Sequence, residues 1–346
     1  MSVAPYRLGF AVKVMGEGGM PSADTRRWQS APHLSRSLEY LDRVFDYLAR
    51  VDIRMYRISS GVVPYGTHPD MPQFDYRRQI DACAGTLAAL GARAREAGLR
   101  LSTHPGQYTV INGPDPELVR KSSLDLEQDA LLLDALGAGP EAVVVVHTGG
   151  VYGERAAAMD RWSRAYEALS DRARRRLVLE HDETSYHLGH VLELHRRTGV
   201  PVVFDLHHHR CLPAPGLRDP GEALAAACAT WPPGVRPKAH LSSPRTELRT
   251  VRRRVAGRRG TAEVMVPPAL DQHADFVTPF DLETLVRAAR GPLDVMLEAK
   301  AKDVALLWLR TQLARTAPDV SAAEERAVPP PGDAGEALAV PADAVG

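Results

Sequence analysis

Six apolar runs in this chain each end on a side chain that can bind a metal ion or carry a proton. Residues 143–146 run into His147, 177–179 into Glu180, 202–204 into Asp205 and 295–297 into Glu298, while His104 and His240 close two more. Imidazole nitrogens and carboxylate oxygens without thiolate suit zinc, manganese or a similar divalent ion, and so many donors suggest more than one. Further donors follow in the loops: His68, His207, His208, His209 and His273. Three adjacent histidines cannot all enter one site, and Asp205-x-x-His208 is the preferred pair. His181, His187, His190 and His195 read better as ordinary structural residues, the last three decorating an expected helix with no Glu between an i, i+4 pair. Such a cluster can activate water and clamp a phosphodiester, or hold the hydroxyls of a sugar during isomerisation. Hydrolase and isomerase both stay open on these residues alone.

The donors are far apart in sequence, so the elements between them must bring them together. Short β-rich runs are expected at 8–14, 55–58, 99–103, 142–146, 177–179, 202–204, 238–241 and 293–297, alternating with helices at 34–49, 77–97, 116–136, 156–170, 185–198, 220–230, 281–289 and 303–314. Eight β-then-α units predict a single α/β domain, a closed (β/α)8 TIM barrel over residues 1–316, whose strand C-termini open on one face. No glycine fingerprint of a dinucleotide or phosphate loop argues for a doubly wound sheet. Pro116 behind Asp115 marks a helix start, and Gly98, Gly137 and Gly199 mark helix ends.

Composition sets the outer limits. Of 346 residues, 44% are hydrophobic and 25% charged, with 43 basic against 43 acidic side chains, which is ordinary globular composition. Three dispersed cysteines, Cys83, Cys211 and Cys228, predict neither a disulfide framework nor a thiolate zinc site, and a reducing compartment is expected. With no leader pattern and no long apolar run, a cytoplasmic, membrane-free monomer is expected. Residues 317–346 are acidic, rich in Pro and Ala and without an aromatic residue, and are expected to form a disordered tail. The basic stretch 245–260 holds Arg245, Arg249, Arg252, Arg253, Arg254, Arg258 and Arg259 against Glu247 alone, and is read as a contact to a phosphate backbone near the mouth. A second basic run, 172–176, falls at the opposite end of the barrel and is read as merely solvated. After His104 come Pro105, Gly106, Gln107 and Tyr108, an amide and an aromatic ring able to wedge beside an unstacked base.

These motifs resemble the UV damage endonuclease family. The resemblance is carried by Tyr56-Arg57-Ile58-Ser59-Ser60, Thr67-His68-Pro69, His104-Pro105-Gly106-Gln107-Tyr108, His147-Thr148-Gly149-Gly150, Glu180-His181-Asp182-Glu183, Phe204-Asp205-Leu206-His207-His208, Lys238-Ala239-His240-Leu241-Ser242-Ser243, His273-Ala274-Asp275 and Glu298-Ala299-Lys300, in the family's order. It implies a metal-dependent barrel that nicks damaged double-stranded DNA on the 5′ side of ultraviolet photoproducts and some other lesions, by metal-activated water.

It further implies that His104, His147, Glu180, Asp205, His208, His240, His273 and Glu298 hold two or three divalent ions, manganese ahead of zinc or magnesium, with Glu180 bridging. Lys238 matches a lysine that is carboxylated in the family, and His68 a histidine beside the scissile phosphate. These two join Glu180 as the expected catalytic residues. Gln107 and Tyr108 match the pair inserted at the lesion, and Phe10, Arg252 and Arg253 complete the expected substrate contacts. Two positions depart from the pattern: Val14 and His181 each stand where the family has Asn. The departures keep open a divergent barrel acting on a small molecule or peptide. A sugar isomerase or epimerase should lack the basic loop and the Gln-Tyr wedge, and a non-catalytic DNA-binding module should lack the ligand set.

Overall fold

In the computed structural model the described residues are 3–106, 108–254 and 260–326. Seven strands lead the chain round most of a barrel: β1 (Tyr6–Ala11), β2 (Met55–Arg57), β3 (Arg100–Thr103), β4 (Val143–His147), β5 (Leu177–Glu180), β6 (Val202–Asp205) and β7 (Lys238–Leu241). Four short strands then leave it: β8 (Pro244–Arg245), β9 (Arg249–Arg254), β10 (Thr261–Val266) and β11 (Ala269–His273). The eighth barrel strand, β12 (Leu293–Leu297), closes the ring between β7 and β1, all neighbours running parallel. This is the expected (β/α)8 barrel.

The pleat decides which residues face the interior, because successive side chains of a strand point to opposite sides. Val143, Val145, Val178 and Val203 pack together inside the barrel, whereas their neighbours Val144, Val146, Leu179 and Phe204 join the larger core beneath the helices. At the floor, Asp294 is fully buried between Arg7, at 2.5 Å, and Arg100, at 2.7 Å. Burial pushes the Asp294 carboxyl up, but these two guanidiniums outweigh it and hold it below the usual range. A charged floor and an apolar middle thus support a polar mouth.

Local differences from the expected elements have identifiable causes. β1 ends at Ala11 because Val12 turns the chain with φ +69°, a conformation uncommon for a β-branched residue. The expected helix 77–97 is two helices, Tyr76–Ala82 and Ala84–Glu96, meeting at Cys83. The run 172–176 lies in a short helix, Asp171–Arg176, and Arg176 is buried, donating to Asp134 and to the carbonyls of Ala138, Gly139 and Ala142. It is a structural staple and not a merely solvated charge.

The expected tail also begins too early. Helix Pro318–Ala323 buries Val320, and Glu324 bridges to Tyr6 on β1 while its carboxylate pairs with Arg310 at 2.6 Å. Acidic composition concealed this, since one buried valine and one ion pair suffice to dock a single turn. The remainder, 327–346, lies outside the described residues. Among the described residues no helix is long and apolar enough to cross a membrane.

Candidate metal centre

Register brings the donors into one layer. His147 on β4 stands beside Glu180 on β5, and Asp205 on β6 stands beside His240 on β7, each pair in direct parallel register. All four occupy inward positions at the C-terminal end of their strands, two residues above the buried valines of β4, β5 and β6. Glu298 follows β12 directly, and His104 follows β3. His208 is delivered by a one-turn helix, Leu206–Cys211, which Asp205 caps by accepting the His208 N–H at 2.8 Å.

Glu180 is the hub. His240 Nδ1 lies 2.9 Å and His208 Nδ1 3.4 Å from its Oε1, while His104 Nε2 lies 3.3 Å and His147 Nε2 3.7 Å from its Oε2. Glu298 extends the cluster, 3.3 Å from His240 Nδ1 and 3.7 Å from His273 Nδ1. Donor atoms of Glu180, Asp205, His240 and Glu298 lie within 4.8 Å of one another, as do those of His104, Glu180 and His240. Three imidazoles have their tautomer set by a backbone carbonyl. Nδ1 of His104 meets Pro105 O, that of His208 meets His181 O and that of His273 meets Glu298 O, each at 3.0 Å. An Nδ1–H so engaged leaves Nε2 with a free lone pair, the usual arrangement of a metal-binding histidine.

Electrostatics point the same way. Burial, then Glu298 and Asp205, push the Glu180 carboxyl well above its ordinary range, and burial drives His104 and His240 well below theirs. Burial opposes ionisation of Glu298 too, but Arg57, which bonds its Oε1, outweighs it together with His240 and His273. His208 runs the other way: burial lowers it, but Asp205, Glu298 and Glu183 prevail and shift it up, toward the charged ring, whose proton a metal ion would displace. Glu180 Oε2 and Asp205 Oδ2 are buried without a hydrogen-bond partner. Buried carboxylate oxygens facing neutral imidazole nitrogens need a cation to satisfy them, so the residues present fit divalent metal ions.

The remaining expected residues separate into distinct places. Lys238 is buried inside the barrel two residues before His240, its ammonium donating to Ser102 Oγ at 2.8 Å. Burial, then Arg57 and Arg100, hold that ammonium well below its usual range. His68 is exposed and makes no described contact with the cluster; it borders a cavity of about 310 Å³ with Tyr65, Pro105 and Lys121. Tyr108 is 86% exposed and borders another of about 760 Å³ that reaches His147. Gln107 lies outside the described residues.

Phe10 requires a correction. It sits at an outward position of β1, fully buried edge-on against Tyr56, and cannot touch a ligand in the mouth. The basic stretch divides as well. Arg245 is buried and donates to Glu247 O and Pro267 O, and Arg249 pairs with Asp275, so both hold the base of the excursion together. Arg252, Arg253 and Arg254 are exposed on the β9–β10 ribbon, and Arg258 and Arg259 lie outside the described residues.

Two residues of the site, Arg57 and Glu183, were missed as participants, and a third, His181, was marked only as a departure from the family pattern. Arg57 reaches both Glu298 and His240 from the end of β2. Glu183 lies 3.6 Å from His208 Nε2. His181 is buried, accepts the Asp205 N–H on Nε2 at 3.0 Å and offers its carbonyl to His208. The signal for His181 was its place directly after Glu180. Val14, the other departure, is buried in the core.

The barrel has counterparts among known proteins. The endonuclease IV structure from Thermus thermophilus shares the fold, with TM-score 0.55 and 16% identity over 89% of this chain and 99% of that one. The crystal structure of SacUVDE is nearer, with TM-score 0.71 and 25% identity over 89% of this chain and 98% of the other. In sequence, the UV DNA damage endonuclease of Bacillus cereus strain B4264 is 30% identical over 282 residues, 81% of each chain. The profile of UV-endonuclease UvdE matches residues 32–328, which include every metal donor named above. Ligand layer, fold and sequence therefore agree, and this chain belongs to the UV-endonuclease UvdE family.

Proposed function

We propose that this protein nicks double-stranded DNA immediately 5′ to ultraviolet photoproducts and some other lesions, beginning excision repair. The observation that supports this most directly is the convergence of seven imidazole and carboxylate donors on Glu180, directly or through Glu298, in a chain of this family. His104, His147, Glu180, Asp205, His208, His240, His273 and Glu298 would hold two or three divalent ions, manganese first. Bound there, such ions supply Lewis-acid activation of water and neutralise charge on the leaving oxygen.

The chain's own residues orient and restrain. Backbone carbonyls fix the rings of His104, His208 and His273. Arg57 keeps Glu298 ionised at its end of the cluster. Lys238, held toward its neutral form by burial, has the nucleophilic amine that carboxylation requires. His68 would stand beside the scissile phosphate, and Gln107 with Tyr108 at the damaged dinucleotide. Arg252 and Arg253 would meet the flanking backbone. An alternative small-molecule or peptide substrate draws on Val14 and His181, but both side chains are buried.

The test is cleavage of an irradiated, end-labelled duplex beside an unirradiated control, with Mn, Mg or Zn added and Glu180→Ala in parallel. Lesion-dependent nicking on the 5′ side, lost with the bound metal in the variant, is the expected result. A metal-loaded wild type that leaves irradiated DNA intact would refute the reading.

A further inference from the structure

Two substrate-facing loops leave the barrel mouth side by side: the segment after β2 that carries His68, and the segment after β3 that carries Tyr108. Both rest on one stripe of the helix Pro116–Ala135, whose residues 122, 125 and 129 recur at helical spacing. Ser122 Oγ accepts the Val110 N–H at 3.2 Å. Asp125 accepts twice: its Oδ1 takes the Thr67 hydroxyl at 2.5 Å and its Oδ2 takes the Thr109 hydroxyl at 3.2 Å. Thr67 immediately precedes His68, and Thr109 immediately follows Tyr108.

The first loop is pressed closely onto this helix. A Cβ at Gly66 would meet Gln128 Oε1 at 2.1 Å and Tyr76 Cβ and Val63 Cγ1 at 2.9 Å, so a larger residue there would have to push the loop and the helix apart. Asp125 also borders both cavities of the mouth, the one of about 310 Å³ containing His68 and the one of about 760 Å³ containing Tyr108 and His147. One carboxylate with an oxygen on each loop therefore stands between them.

We infer that Asp125 is a positioning residue that ties the His68 loop to the Tyr108 loop, so that contact with the lesion and contact with the phosphodiester form as a unit. The inference rests on the proposed DNA substrate for its consequence, but not for the clamp itself. A carboxylate is suited to the task because each oxygen accepts and neither must donate, so both threonine hydroxyls can point at it together. An amide offers one such oxygen, and an alanine none. Because the groups act on the reacting centre only through loop position, loosening them should lower turnover on damaged DNA more than it lowers binding.

The experiment compares wild type with Asp125→Ala, Asp125→Asn, Thr67→Val and Thr109→Val. Amide hydrogen exchange of segments 61–68 and 108–112 is measured without DNA, and kcat, KM and bound metal are measured with irradiated and unirradiated duplex. The expected result is faster exchange in both segments for Asp125→Ala. The same variant should lose about tenfold or more in kcat on irradiated DNA, with metal content and KM little changed. Asp125→Asn should fall between it and wild type, and each threonine variant should free its own segment first. Exchange confined to one segment, or unchanged in both, overturns the clamp whatever the enzyme cleaves. Exchange that rises in both segments of the variant, while the wild type is inactive on DNA, upholds the clamp and refutes the DNA reading alone.

Discussion

His181 shows how a buried residue can shape a candidate metal site without being one of its donors. Its ring accepts the Asp205 N–H and its carbonyl fixes the His208 tautomer, so two donors depend on one residue. Burial drives the imidazole well below its ordinary range, which keeps it the neutral acceptor that Asp205 N–H needs. His181→Ala should therefore lower metal affinity about 10- to 100-fold, as removing such supporting groups typically does. His181→Gln, whose amide oxygen reaches about as far as the Nε2 that accepts the Asp205 N–H, should lose less. Metal content after equilibrium dialysis decides this, and equal losses in the two variants would show that packing and not the hydrogen bond matters. At this scale the residue types were legible: a strand that ends in His, Glu or Asp advertises a donor. The direction of a side chain was not, and Phe10 is the instance, its outward position set by the pleat of β1.

At the scale of elements, the excursion between β7 and β12 is where this barrel adds surface. β9 and β10 pair antiparallel through six positions, from Arg254 with Thr261 to Arg249 with Val266. An isolated two-stranded ribbon is marginal in water, and this one is secured at its base by Arg245 and by Arg249 with Asp275. Above that base Arg252, Arg253 and Arg254 are exposed, and Glu263 stands across the strands from Arg252. Replacing these three arginines by alanine should weaken binding to damaged and undamaged duplex alike. The slope of log affinity against log salt should become shallower by about one for every phosphate no longer neutralised. A slope that stays unchanged would remove the ribbon from the interface. Sequence counted seven arginines as one patch; only tertiary packing separated Arg245 and Arg249, which build the base of the ribbon, from Arg252, Arg253 and Arg254, which are exposed on it.

For the whole molecule, β1 and the turn at 318–324 are joined through Tyr6, Arg310 and Glu324. Glu324 accepts from Arg310 and Arg326 with its side chain almost wholly buried, and Arg310 also caps the carbonyls of Val51 and Asp52 after the first long helix. Removing one partner of a buried ion pair strands the other, at a cost of about 3–5 kcal/mol. Glu324→Ala should lower unfolding stability by about that amount in urea titration, with metal stoichiometry at saturation unchanged. A loss within error of zero would mean that the terminal turn is only loosely docked.

The alternation of short apolar runs with amphipathic stretches was enough to predict a parallel barrel, and the donors at strand ends were enough to predict where they would meet. That inference succeeds because in such a barrel every strand C-terminus opens on the same face, so sequence separation ceases to matter. Other features depended on contacts between distant segments: Asp125 reaching two loops, Glu324 returning to Arg310, Arg245 buried beneath the ribbon. Composition and periodicity describe a residue's own neighbourhood along the chain. Which partner it finds across 58 residues, as Thr67 finds Asp125, or across 287, as Arg7 finds Asp294, is decided only when the strands and helices pack.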